Sequence, residues 1–479
     1  MALRIGFVTA ELSPLAHSGG LGEAVSGLAR ALAARGHEVC CTLPAYRSLL
    51  DHPECPPLRE AGRVALSLPH GELRGRFLAG TLAAGVRLRL LDLPELYARP
   101  GLYGDANQSY WDNGLRFIAL ARAAAADAGA ARPDVVLAHD WHAALAPCLM
   151  RTREAPRWRG VGSVLAIHNN AHQGRFPAAS LLLTGVAAEH FHPGGLEFFG
   201  DLSLLKAGIV FADRIVAVSP SYARELLEPA FGAGLEGVYR QRAPSLSGIA
   251  NGIDVQRYDP ASDPALPAGF DAAHPDGKDA CRASLLAELD LEAPRAGLLL
   301  AAIGRLDAQK GWDVLEGALD ALIARGASLA LLGDGEPGLA QRLRAACARH
   351  PRRVSLRVGW DERRARRIYA GADAVLIPSR FEPCGLVQLV AQRYGTLPVA
   401  HRVGGLSDTI TDQATGVLFA PLSVEALVAA VDRAAALATA RGTRALRRSL
   451  LELDVSWAGP AARWEMLLED VARRARAAQ

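Results

Sequence analysis

A chain of 479 residues, half of them hydrophobic and 22% charged, is globular in composition and too long for one ordinary core, so two or three domains are expected. Its net charge of +3 is too near neutral to predict binding to nucleic acid or an anionic membrane surface, and no window approaches the roughly 20 apolar residues of a membrane span. Seven scattered cysteines without a CxxC pair predict neither a disulfide framework nor a zinc site, and the opening residues lack a signal peptide's apolar core, so a reducing cytoplasm is expected.

Residues 3–10 read as a strand, followed by a glycine-bearing loop at 13–22, a helix at 23–34 that stops at Gly36, and a second strand at 38–43. That is a βαβ unit with its glycine turn at the strand's carboxyl end, where α/β folds keep their ligands. Shorter strands at 64–68, 77–82 and 86–91 suggest hairpins added to the domain, and 113–127 is a helix. Strand-like runs at 135–138, 163–167 and 214–218 then end in His139-Asp140-Trp141-His142, His168-Asn169-Asn170 and Ser219-Pro220-Ser221. Polar residues gathered at strand ends are what a ligand cleft on a parallel sheet requires. A merely solvated loop explains any one of His139, His142 and His168 better than all three together.

Prolines and glycines crowd 259–277, marking a connection at or just after a domain boundary. Strand–helix alternation restarts with strands at 297–303, 328–332, 354–358, 374–377 and 397–400, which predicts a second doubly wound parallel sheet. The basic run at 363–367 reads as a solvated helix face. The chain ends in a helix at 460–476 with Trp457 and Trp464 near its start. The expected fold class is therefore α/β, with two doubly wound domains facing across a deep cleft, an arrangement suited to two bulky substrates.

The stretch Ile377-Pro378-Ser379-Arg380-Phe381-Glu382-Pro383-Cys384-Gly385-Leu386-Val387-Gln388 joins a buried strand to a helix expected over 385–394. Pro383 suits a first helical turn, which would leave the amides of Cys384, Gly385 and Leu386 at the positive end of the helix as an anion site. Glu382 at its mouth could hold hydroxyls and would repel phosphate, so the turn suggests a sugar phosphate. Taken alone, a capped helix with a surface glutamate fits equally well. The stretch 303–311 leaves a strand carrying Arg305 and Lys310, cations suited to the charge that grows on a departing diphosphate; a basic strand-end loop is the other reading. Gly404 and Gly405 supply a further glycine turn with free amides. Trp360 follows a strand and has the flat face to stack on a nucleobase, although a tryptophan there more often serves packing. Residues 332–336 read as a strand-end turn whose carboxylates could meet a base or ribose, although a simple turn is the more common case.

Taken together, these segments resemble the bacterial and plant-type glycogen (starch) synthases, retaining glucosyltransferases of the GT-B architecture. The resemblance rests on Thr9-Ala10-Glu11 with Ser18-Gly19-Gly20-Leu21; Leu102-Tyr103-Gly104-Asp105 with Asp112-Asn113 and Arg116-Phe117; His139-Asp140-Trp141-His142; Ile167-His168-Asn169 with Gln173-Gly174; and Asn251-Gly252-Ile253-Asp254. In the second half it rests on Gly304-Arg305-Leu306 with Gln309-Lys310-Gly311, 378–386 with Gln388, Tyr394-Gly395-Thr396, and Gly404-Gly405-Leu406 with Asp408-Thr409. It implies two Rossmann-like domains, 1–247 on the acceptor side and 248–457 on the donor side, with 458–479 returning to the first. It also implies glucose transfer from ADP-glucose to the nonreducing 4-hydroxyl of an α-1,4-glucan such as glycogen, without metal or other cofactor.

Residue by residue, the resemblance makes Arg305 and Lys310 the holders of the diphosphate, Glu382 the holder of the glucosyl hydroxyls, and His168 the contact to the transferred glucose. His17, Gly19, Gly20, Trp360, Cys384, Gly385, Leu386, Gly404 and Gly405 would line the donor site. Tyr103, Asp140, Trp141, Asn169 and Asn251 would border the sugar or acceptor. No carboxylate is placed as a nucleophile, which fits a same-face displacement that needs only positioning and leaving-group stabilisation. Two positions depart from the family pattern: His17 stands where a lysine is usual, and Val403 where a threonine is usual. The first removes a fixed cation and leaves open UDP-glucose as donor, a small acceptor as in maltose-1-phosphate formation, or a glucan-binding paralogue without turnover.

Overall fold

In Arg4–Val8 (β1), burial alternates along the strand before both faces close over at Phe7 and Val8. Val135–His139 and Gly162–Ile167 are buried at every position, as strands of a parallel sheet covered on both faces must be. The computed structural model describes residues 2–105, 108–127, 131–295 and 297–478. The chain divides into two units, Met1–Asn251 with Trp457–Gln479, and Gly252–Ser456.

The first unit is built on a nine-stranded sheet. After β1 come Glu38–Pro44 (β2), Arg59–Leu68 (β3), Gly71–Thr81 (β4), Arg87–Asp92 (β5), Val135–His139 (β6), Gly162–Ile167 (β7), Arg214–Ala217 (β8) and Leu246–Gly248 (β9). Their spatial order is β9-β8-β7-β6-β1-β2-β5-β4-β3, parallel from β9 to β5 and antiparallel through β4 and β3. The added hairpin is longer than its apolar residues suggest. Arg59, Glu60, Arg63, Glu72, Arg74 and Arg76 continue both strands, because an antiparallel edge needs only one apolar face. Helices Gly20–Ala34 (α1) and Asn113–Ala126 (α2) follow β1 and the hairpin region. β9 still pairs with β8 at Gly248, which carries this unit to Asn251.

The closing helix, Ala458–Ala477, buries Trp464, Leu468, Val471 and Ala472 in the first unit. Two glycines permit its approach. A Cβ on Gly162 of β7 would stand 2.3 Å from Val471, and one on Gly27 of α1 would stand 2.0 Å from the Trp457 indole nitrogen. Ion pairs rim the contact: Arg35 and His37 with Glu465, Arg214 with Asp470, and Arg476 with Asp134.

The second unit holds six parallel strands, Leu299–Leu306 (β10), Ser328–Gly335 (β11), Val354–Val358 (β12), Ala374–Ile377 (β13), Leu397–His401 (β14) and Val417–Phe419 (β15). The order β12-β11-β10-β13-β14-β15 is that of a doubly wound fold, whose ligands lie at the carboxyl ends near the β10/β13 reversal. Helix Gly277–Glu288 (α3) contributes Lys278, whose Nζ donates to the carbonyls of Tyr369, Ala370 and Tyr394 and to Thr396 Oγ1 at 2.6–3.0 Å. Burial pushes this ammonium down to about 7. Among the described residues no helix is long and apolar enough to cross a membrane.

A methyl group at Gly27 has no room beside the Trp457 ring. Gly27→Ala is expected to lower the unfolding free energy by about 1–3 kcal/mol, read from denaturant melts. A midpoint equal to that of the parent would mean that the closing helix yields without cost.

Candidate functional site

In the first unit, two buried acids organise the loops at the carboxyl ends of the strands. Glu11, 3% exposed, accepts from Ser18 N–H at 2.9 Å, Ser18 Oγ at 2.8 Å and the Tyr103 hydroxyl at 2.7 Å. It thereby anchors the loop of His17, Gly19 and Gly20 and brings Tyr103 to it. Asp140 follows β6 with a φ of 53°, a left-handed conformation that aspartate tolerates better than most residues. Its Oδ1 accepts from the backbone N–H of His168 at 2.6 Å and of Asn169 at 3.2 Å, fixing the turn after β7. Burial pushes the Asp140 carboxyl up to about 7 against the pull of these two donors.

His139 Nδ1 lies 2.9 Å from His168 Nε2, so one hydrogen is shared along that line. Burial pushes His168 down to about 3 and holds His139 and His142 well below the usual imidazole range, so all three are neutral at pH 7. Trp141 stacks on His142 with ring centroids 4.1 Å apart, and Tyr103 and Phe117 close around His142 at 5.0 and 4.6 Å. Gly174 is required beneath Trp141, where a Cβ would come within 2.4 Å of the indole. The structure thus gathers Tyr103, Asp140, Trp141, His168 and Asn169 with the His17–Gly20 loop. Asn251 is half-buried at the end of this unit.

In the second unit, Glu382 is 6% exposed, and its Oε2 accepts from Lys310 Nζ at 2.7 Å and from Ser379 Oγ at 3.0 Å. Its backbone carbonyl accepts from Gly405 N–H at 2.9 Å. Three local expectations are corrected. The helix after Glu382 is Val387–Arg393 (α4), because Gly385 turns left-handed at φ 77° ahead of it. Pro383, Cys384 and Gly385 therefore precede the helix instead of forming its first turn, and Leu386 is its N-cap. The amide of Gly405 is not free, since it ties the helix Gly404–Thr409 (α5) to Glu382. Finally, Arg305 and the stretch 332–335 lie on paired strands, because β10 and β11 stay in register through Arg305↔Asp334 and Leu306↔Gly335.

Arg305 is half-exposed and reaches Asp307 at 3.2 Å and Gln309 at 3.0 Å. Gly405 must be glycine, since a Cβ would stand 2.4 Å from Cys384 Cα. Gln388 donates to the carbonyls of Cys384 and Gly385 and to Thr409 Oγ1, each at 3.0 Å, which locks the turn from below. Trp360 is 58% exposed beyond the edge strand β12, so it does not fill the core. Glu11, His139, Ser379 and Gln388 hold the candidate residues in place. Each lies inside a recognisable motif, but only a buried contact distinguishes it from its neighbours. Among the described residues no group of three or more His, Cys, Asp or Glu side chains is placed to hold a metal ion.

Two doubly wound α/β units with charged and aromatic clusters at the strands' carboxyl ends define a GT-B glycosyltransferase. Residues 4–241 match the starch synthase catalytic domain and 297–436 match glycosyl transferases group 1. The glycogen synthase of Anaeromyxobacter dehalogenans (strain 2CP-C) is 43% identical, with 98% of this chain and 100% of that protein covered. That of Aromatoleum aromaticum (strain DSM 19018 / LMG 30748 / EbN1) is 42% identical, covering 99% and 98%. The catalytic domain of starch synthase IV from Arabidopsis thaliana, solved bound to ADP and acarbose, superposes with a TM-score of 0.89 at 28% identity, covering 99% of this chain and 100% of that one. The chain belongs to the glycogen (starch) synthase family, and its activity is that of a glycogen synthase, a transferase that takes a nucleotide-sugar donor and a glucan acceptor.

The buried titratable groups predict an acid-labile first unit. The three histidines, lowered in the fold, contribute stability that is present above their unfolded value and lost as pH falls towards the folded one. Asp140, raised in the fold, acts oppositely, with its contribution lost as pH rises towards about 7. As pH falls below the unfolded histidine value, unfolding takes up protons at the three histidines and releases one from Asp140, so these groups give stability a downward slope on acidification. Denaturant melts of His142→Gln should show that slope reduced by about 1.4 kcal/mol per pH unit; an unchanged slope would mean that His142 is protonated in the fold.

Proposed function

We propose that the chain transfers glucose from ADP-glucose to the nonreducing 4-hydroxyl of an α-1,4-glucan with retention of configuration, and that it works in the cytoplasm. The observation that carries this reading is the Lys310–Glu382–Ser379 cluster on a turn tied to Gly405. It is an anion-repelling carboxylate and a cation held together at the switch point of a doubly wound sheet. A relative solved with ADP supports ADP as the leaving nucleotide.

In this reading Lys310 exchanges Glu382 for the donor's diphosphate, joined by Arg305, whose contacts to Asp307 and Gln309 are solvent-exposed and easily given up. Glu382, relieved of its cation, accepts from the glucosyl hydroxyls. The turn of Cys384, Gly385 and Leu386 and the glycines Gly404 and Gly405 border the sugar and phosphates, Trp360 offers a face to the base, and the His17–Gly20 loop lies on the donor's phosphate side. The bond from the anomeric carbon to the phosphate oxygen breaks, the acceptor 4-hydroxyl attacks the same face, and its proton passes to the departing phosphate. Charge growing on that phosphate is what Arg305 and Lys310 stabilise.

His168 contacts the transferred glucose as a neutral imidazole. Among the described residues His139 Nε2 is buried without a hydrogen-bond partner, so His139 keeps its hydrogen on Nδ1 and donates it to His168 Nε2. His168 then carries its own hydrogen on Nδ1, available to a sugar oxygen. Tyr103, Asp140, Trp141, Asn169 and Asn251 border the acceptor side.

Elongation of glycogen with radiolabelled ADP-glucose tests the reading. Glu382→Ala and Lys310→Ala should each lower kcat by about 10²-fold or more. His17→Lys should raise kcat/KM for ADP-glucose by about tenfold, the worth of one charge-assisted hydrogen bond. Preferred turnover of UDP-glucose would overturn the donor, and elongation with no nucleoside-diphosphate glucose would overturn the transfer itself.

A further inference from the structure

A cavity of about 460 Å³ lies in the first unit between the sheet and the carboxyl end of α2. It exists because the facing side chains are small: Gly6 of β1, Cys40 and Thr42 of β2, and Ala124 and Ala125 of α2 all line it. Met150 and Trp158 add an apolar wall. Its volume falls in the range of small-molecule sites, about 300–1,000 Å³.

The charge around this cavity is out of proportion to a nearly neutral chain. Six arginines line it against two carboxylates, Glu38 and Asp127. Arg89, 6% exposed, is rigid: it pairs with Asp127, donates to Ala61 O at 3.1 Å and lies 4.5 Å over the Phe77 ring. Arg157 donates to the carbonyls of Ala126 and Asp127, and Arg87 pairs with Glu38 in an exposed bridge. Arg59 and Arg132 are exposed and have no ion pair among the described residues. A site with apolar walls and surplus guanidinium groups suits an anion with a carbon body, because guanidinium matches phosphate oxygens two at a time.

We propose that this cavity is a binding site for a small phosphorylated organic anion, separate from the residues of the transfer reaction. The arginines hold the phosphate, and the wall of Met150, Trp158 and the α2 alanines holds the body. β1 forms one side of the cavity and runs directly into Thr9, Glu11 and the glycine loop, so an occupant bears on the strand from which that loop departs.

Phenyl phosphate is the simplest probe with both features. Titrated calorimetrically into the full chain saturated with ADP, it should bind at one further site with Kd below about 1 mM, and inorganic phosphate should bind about tenfold more weakly or not at all. Arg59→Ala/Arg132→Ala, both on exposed side chains, should weaken phenyl phosphate about tenfold, and Ala124→Phe should fill the cavity and abolish the heat. Neither change should alter glycogen elongation. No saturable heat in the parent, heat unchanged in the double arginine variant, or heat lost only in Arg305→Ala would each overturn the proposal. These readouts are distinct from elongation, so the cavity and the transfer reading can fail separately.

Discussion

The carboxylate of Glu382 is the point on which the second unit's ligand turn depends. A charge this deeply buried persists only if it is paired and hydrogen-bonded, and Lys310 and Ser379 both donate to its Oε2. The same residue's carbonyl takes the amide of Gly405, so one position joins the ends of β10, β13 and β14. Gly405 can come that close only because it has no side chain, and Gln388 then secures the turn by holding two of its carbonyls. A basic group thus lies within hydrogen-bond range of a buried acid, and each keeps the other in place.

The first unit solves the equivalent problem with acids that hold backbone instead of cations. Asp140 gathers two consecutive amides and so sets the direction of His168, and Glu11 gathers a serine and a tyrosine from distant parts of the chain. Burial keeps the neighbouring imidazoles neutral. The result is a surface of hydrogen-bond donors and acceptors with little formal charge, suited to sugar hydroxyls, alongside a second unit whose site is built on charge.

Much of this is legible in the sequence. Apolar runs ending in polar residues located β6, β7 and β13, because fully buried parallel strands leave an unmistakable hydrophobic signature. The length of the hairpin β3–β4 is not legible there, because one solvated face carries charges that mask it. The start of α4 is not legible either, because Pro383 suits a first helical turn in isolation and only the left-handed Gly385 shows that the helix begins later. Glu11, Ser379 and Gln388 stood inside motifs without an evident task, since their task is a contact to residues far along the chain. The exposure of Trp360 could not be read either: a tryptophan after a strand looks the same whether it fills a core or faces solvent.

The buried ammonium of Lys278 has a practical consequence when set beside the rarity of its residue type. The chain contains three lysines. Lys278 is caged by four oxygens and Lys206 is 3% exposed with its Nζ on two carbonyls, so both are shielded from reagents in solution. Lys310 keeps 19% of its side chain exposed. An acylating reagent therefore meets one ε-amino group ahead of the others, and the extent of labelling at that single peptide reports how firmly Glu382 holds Lys310, without any engineered probe.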